Sequence, residues 1–120
     1  MIYLASPYSH PDPLIMKTRF LLAEQCCAEL MKAGLHVHSP IVHCHEMAIR
    51  HNLPTDFAFW RSYNFAFIRR SDAVYVLDIP GLTESVGVAG ELEFANLIGL
   101  PITYCDENGV RTYGTYNKHS

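Results

Sequence analysis

A three-layer α/β fold, a Rossmann-like or flavodoxin-like parallel sheet of four to five strands with helices on both faces, is predicted by three features of the chain. Short apolar runs alternate with longer segments of helical spacing. The clearest run, Ala73 to Leu77 (AVYVL), is apolar except for one tyrosine hydroxyl, the pattern of a strand buried on both faces. Turn signals close the runs at Ser6-Pro7, Ser39-Pro40 and Pro80-Gly81. Strands separated by helices pair in parallel, and ligands bind at the carboxyl ends of such strands.

The elements follow in order. Met1 to Ala5 (MIYLA) reads as a first strand stopping at Ser6-Pro7. Asp12-Pro13 is an N-cap and N1 pair, and helical apolar spacing then runs through Leu14, Phe20, Leu21, Leu30 and Met31 to Gly34. Leu35 to His38 alternates as a strand does. After Ser39-Pro40, IVHCHEMAIRHNLP reads as an excursion with one short helix. Thr55 is placed to cap a second long helix (DFAFWRSYNFAFIRR), which ends before Ser71 and leads into the AVYVL strand. Ser85 or Thr83 caps a third helix that ends at Gly99, and Pro101 to Cys105 supplies a fourth strand. The remainder reads as a turn, a short edge strand and a mobile end.

With 120 residues, 49% of them hydrophobic, the chain can bury one sizeable core, so residues 1–120 are expected to form a single domain. Nine Lys and Arg against twelve Asp and Glu, with no basic run, argue against a nucleic acid polymer as partner. No stretch approaches the roughly 18 apolar residues of a membrane span, and the N-terminus lacks the basic and apolar regions of a signal peptide. A soluble cytoplasmic protein with no membrane partner is expected. Cys26, Cys27, Cys44 and Cys105 form no C-x-x-C pair and read as free, mostly buried thiols.

The predicted ligand rim gathers residues 6–10, 39–45 and 78–85. Within it, Ser85-Val86-Gly87-Val88 opens a helix, where unpaired N–H groups, a hydroxyl and a close-approaching glycine suit an anion, most simply a phosphate. Neither G-x-x-x-x-G-K-[ST] nor G-x-G-x-x-G occurs, and no cofactor is expected. Glu91 lies six residues after Ser85, and Glu93 is rotated about 200° from it on the helical wheel. Glu91 should therefore border the packed side toward the strand ends, with Glu93 nearer solvent. Periodicity alone leaves Glu91 open between chemistry and an ordinary carboxylate favoured by the helix dipole.

Two segments carry a resemblance. Tyr3-Leu4-Ala5-Ser6-Pro7 and Ser85-x-Gly87-x-x-x-Glu91-x-x-x-Ala95-x-x-x-Gly99-x-Pro101 resemble the nucleoside 2-deoxyribosyltransferase superfamily, over nearly the whole chain. The Ser-x-Gly-Val-x-x-Glu spacing looks like its nucleoside 5'-monophosphate N-glycosidase branch. Taken whole, with Ser39-Pro40-Ile41-Val42-His43 and Trp60, the chain is most similar to a short bacterial and phage family without a generally assigned substrate. The resemblance implies that Glu91 attacks the anomeric carbon of a ribose or deoxyribose while the base departs, followed by hydrolysis or transfer to a second base. It implies that Ser85 and the Gly87 and Val88 amides hold a 5'-phosphate, that Tyr3, Ser6, Pro7 and Tyr8 line the sugar and base pocket, and that the chain forms a homodimer or higher homo-oligomer. Where the superfamily usually has an aspartate in the helix reached by Trp60, this chain has Asn64, which cannot supply a proton. Asp78 is a substitute acid at the rim, or else a turn-forming aspartate.

Five of seven histidines, His36, His38, His43, His45 and His51, fall within sixteen residues, and His43-x-His45 would put two imidazoles on one side of an extended segment. No H-E-x-x-H is present, and hydrogen-bonding histidines are favoured over a metal site, with His10 and His43 placed nearest a phosphate or base. The aromatic helix of Phe57, Phe59, Trp60, Phe65 and Phe67 reads either as packed on the sheet or as partly an oligomer interface. Two other functions compete with the enzyme: a non-catalytic nucleotide-sensing module of the same fold, and a metal-dependent hydrolase built on the histidines.

Overall fold

The computed structural model describes residues 1–116. It contains β1 (Ile2–Ala5), α1 (Pro13–Lys32), β2 (Val37–His38), α2 (Pro40–Arg50), α3 (Phe57–Arg69), β3 (Ala73–Leu77), α4 (Val86–Leu97), β4 (Ile102–Cys105) and β5 (Arg111–Thr112). The strands form one sheet in the order β2-β1-β3-β4-β5, parallel throughout except for the antiparallel β4–β5 edge. This is the expected three-layer α/β fold. Chain order reverses direction in the sheet beside β1, with β2 on one side and β3 on the other, the place where such sheets open a crevice.

Successive strand side chains point to opposite faces, and the two cores follow from that alternation. On one face Leu4 and Leu77 meet Ala23, Cys26, Cys27 and Leu30 of α1. On the other, Tyr3, Ala5, Val74 and Val76 meet Ile68 of α3 and Val88 and Ala95 of α4. The AVYVL strand is central and flanked by parallel partners, as its unbroken apolar pattern predicts. All four cysteines are free and buried.

The helix starts show which signals the chain uses. Asp12 caps α1 by accepting from the Leu14 amide at 2.9 Å, with Pro13 at N1. The same device recurs at Ser39-Pro40, where the Ser39 hydroxyl accepts from the Val42 amide at 3.2 Å and opens an 11-residue helix. The expected excursion is therefore a full helix, and β2 shrinks from four residues to two. At α3 the N-cap is Asp56 rather than Thr55, with no side-chain capping bond. At α4 the choice falls to Ser85, which accepts from the Val88 amide at 3.1 Å. Thr83 instead donates to the Tyr116 carbonyl. The mobile end expected after the edge strand falls in 117–120, outside the described residues.

Candidate active site

A cavity of about 1240 Å³ opens at the carboxyl edge of β1 and β3, walled by the segment after β1 and by α2, α3 and α4. Its size exceeds that of a usual small-molecule pocket, roughly 300–1,000 Å³. Its apolar walls include Phe57, Trp60, Phe65 and Phe94. The Trp60 indole is held by donating to the Pro54 carbonyl at 2.8 Å.

Glu91 lies in this wall and is only 4% exposed. It belongs to a helix whose inward positions, Val88, Glu91 and Ala95, repeat at three and four residues. One carboxylate oxygen, Oε2, accepts from both the Tyr3 hydroxyl and Asn64 Nδ2, the latter at 3.2 Å. Oε1 takes no hydrogen bond from the described residues. Burial pushes the Glu91 carboxyl up to about 7, against the lowering effect of those two donors. Burial, reinforced by the nearby Glu91, also raises Tyr3 well above the usual phenol value, so its hydroxyl stays protonated and donates. Glu93 is exposed, nearer solvent as the helical wheel predicts, although it lines the same cavity.

The first turn of α4 faces the same cavity through Ser85, Val86 and Gly87. The Ser85 hydroxyl occupies the Val88 amide, and the Ser85 carbonyl takes that of Ala89. Among the described residues the Val86 and Gly87 amides are the donors left free at this helix start, so the anion cradle expected from Gly87 and Val88 shifts back by one residue. Val88 itself is a core side chain. A Cβ on Gly87 would make only ordinary contacts, with Phe57 at 3.6 Å and the Ser85 hydroxyl at 4.0 Å, whereas one on Gly90 would come within 2.7 Å of the Phe57 ring. Gly90 is thus the glycine that lets α3 and α4 pack, and Gly87, which lines the cavity, could carry a methyl group without a clash.

The structure sorts the other expected site residues. Ser6, Tyr8 and Trp60 join Glu91 and Asn64 in the cavity wall; Tyr3 stands behind Glu91, and Pro7 is buried outside the wall. His10 accepts from the Asp12 amide at 2.9 Å, at the entry to α1, and does not reach the cavity. His43 is exposed, bonded to the Ser39 carbonyl at 2.7 Å and stacked on His38. In a helix, residues two apart point about 200° from each other, so the side of α2 that turns inward carries His45 instead. Buried His45 lines the cavity, with Nδ1 2.6 Å from the Tyr8 hydroxyl.

Asp78 also departs from its expected role. Its Oδ2 accepts from the Thr112 hydroxyl and the Thr115 amide, the latter at 2.8 Å, and its Oδ1 from the Tyr116 amide at 2.9 Å. Both oxygens are committed to the C-terminal segment, and Asp78 does not line the cavity. Its geometry is that of a clasp, not of an acid facing a substrate. Among the described residues no group of three His, Cys, Asp or Glu is placed to hold a metal ion.

Fold and site together define an α/β chain with a carboxylate-centred cavity at the topological switch point. The family described as "Domain of unknown function (DUF1937)" matches residues 1–107, and the chain belongs to that family. No curated protein matches the chain. Among the described residues no helix is long and apolar enough to cross a membrane.

Proposed function

We propose that the protein cleaves, or exchanges the base at, the N-glycosidic bond of a nucleoside or nucleoside 5'-monophosphate, with Glu91 as nucleophile. The observation that carries this reading is the asymmetry of Glu91: Oε2 is anchored by Tyr3 and Asn64 while Oε1 is left without a protein donor in the cavity wall. In the first step Oε1 bonds to the anomeric carbon as the carbon–nitrogen bond breaks, and that bond's electron pair leaves with the base, which takes up a proton from solvent. In the second, water or another base attacks the same carbon and frees the carboxylate. The aromatic walls suit a planar base, and the free Val86 and Gly87 amides suit a phosphate or sugar hydroxyl.

A carboxyl near 7 is about half ionised at neutral pH, so base release should rise with pH on its acid limb and level off above about 7. The test is a panel of nucleosides and their monophosphates, with free base measured by chromatography. Glu91→Gln must abolish release; release that persists in that variant removes the assignment.

A binding-only reading draws support from Asn64, which has no proton to give a departing base. It predicts saturable binding with no base released from any member of the panel. Exposed Phe59 and Tyr63 on α3 support the homo-oligomer reading, which light scattering on the purified chain tests.

A further inference from the structure

Three buried polar atoms without a partner among the described residues belong to the cavity wall: Ser6 Oγ, His45 Nε2 and Asn64 Oδ1. They come from three different segments, the turn after β1, α2 and α3. Each such atom is desolvated without compensation, so their convergence on one cavity points to a ligand that supplies the missing partners. Their chemistry is complementary. Asn64 Nδ2 donates to Glu91, which fixes Oδ1 as an acceptor, and Ser6 Oγ both donates and accepts.

His45 is the most tightly set of the three. Its ring stacks on Phe20, centroids 4.2 Å apart and planes 17° apart, and meets Tyr8 edge-on at 5.5 Å. The Tyr8 hydroxyl has Nδ1 as its partner; donation to Nδ1 satisfies the phenol and leaves the imidazole proton on Nε2. Burial holds His45 below its ordinary value, outweighing the nearby Glu46, and Lys17 adds to the lowering. The ring is therefore neutral near pH 7 and presents one fixed donor.

We propose that His45, oriented by Tyr8, is a specificity-determining donor whose Nε2–H reads an acceptor on the edge of the heterocyclic base, with Ser6 as its companion. This rests on the nucleobase reading of the cavity but not on catalysis by Glu91. His45 Nε2 is enclosed in the free protein, so contact requires the neighbouring wall side chains to shift as the ligand enters. The ring nitrogens and carbonyl oxygens of purines and pyrimidines supply the acceptor.

Trp60, the chain's single tryptophan, lies in the cavity wall and reports occupancy by its fluorescence. The test is titration of the protein with adenine, hypoxanthine and cytosine. Indole, a planar heterocycle that has no ring acceptor, is titrated alongside and followed by calorimetry, because it is itself the tryptophan fluorophore. Saturable quenching by at least one base is expected, weakened about tenfold in His45→Phe, which keeps a ring on Phe20 but removes both nitrogens. Tyr8→Phe should weaken it about threefold, and His45→Gln should restore part of the loss through its amide donor. Indole binding should not respond to His45→Phe.

Wild-type affinity for every base in folded His45→Phe and in Tyr8→Phe overturns the proposal. So does an equal loss for indole and the bases, which marks a packing role, or no quenching by any base. His45-dependent base binding in a protein that releases no base upholds the inference and removes the catalytic reading. Base release with unchanged KM and kcat in His45→Phe does the reverse.

Discussion

Glu91 and Asp78 are both buried carboxylates at the carboxyl edge of one sheet, and their hydrogen bonds set them apart. Asp78 stands at the end of β3, and both its oxygens are filled: two backbone amides and a hydroxyl converge on it from residues 112–116. Burial alone would raise its carboxyl, yet the bonds from Thr112, Tyr116 and Thr115 outweigh that and hold it below the ordinary value. Glu91 receives two donors on one oxygen, and burial wins. A saturated carboxylate is a structural anchor, and a half-satisfied one in a cavity wall keeps an oxygen for chemistry.

Replacing Glu91 breaks the comparison most severely. Glu91→Gln should lower base release by roughly a thousandfold or more, while stabilising the fold at high pH. An acid whose carboxyl is raised on folding contributes its full stability below the ordinary 4.5, and loses that contribution as pH rises through about 7. Denaturant melts should therefore show the variant gaining on the wild type between those values, reaching on the order of 3 kcal/mol by pH 8. A variant less stable than wild type at pH 8 would mean that Glu91 is held as a well-compensated anion.

Asp78→Asn tests the other half. It should cost about 1–3 kcal/mol and expose residues 112–116 to hydrogen exchange, with base release changed far less than by Glu91→Gln. The sign with pH is opposite: the contribution of a lowered carboxyl is present above the ordinary 3.8 and lost as pH falls. Loss of turnover equal to that of Glu91→Gln would return Asp78 to the chemistry.

Smaller effects separate the scaffold from the pocket within α4. Gly90→Ala forces Phe57 aside and should destabilise by about 1–2 kcal/mol in thermal melts. Gly87→Ala meets no such clash and should leave the melt nearly unchanged while weakening ligand binding. The smallest change is expected from Glu93→Ala, within about 0.5 kcal/mol in stability and near wild type in base release.

Much of this contrast is legible in the amino-acid sequence. The split between Glu91 and Glu93 follows from helix geometry once Ser85 marks the start, and the buried central strand follows from AVYVL. The histidines are harder for a physical reason. Read as extended chain, His43 and His45 share a side; in α2 they oppose each other, and only the repeat of the Asp12-Pro13 signal at Ser39-Pro40 announces that helix. The Asp78 clasp is beyond the reach of sequence patterns, because its three donors lie more than thirty residues away and no local spacing marks them.

The central claim is that Glu91 Oε1 forms a bond to a sugar. Rapid acid quenching of the protein with the most active nucleoside or nucleotide, followed by peptide mass spectrometry, examines that bond directly. A pentosyl adduct on Glu91, missing from Glu91→Gln, is the predicted result; base release with the adduct on another residue, or at an undiminished rate in Glu91→Gln, would contradict it.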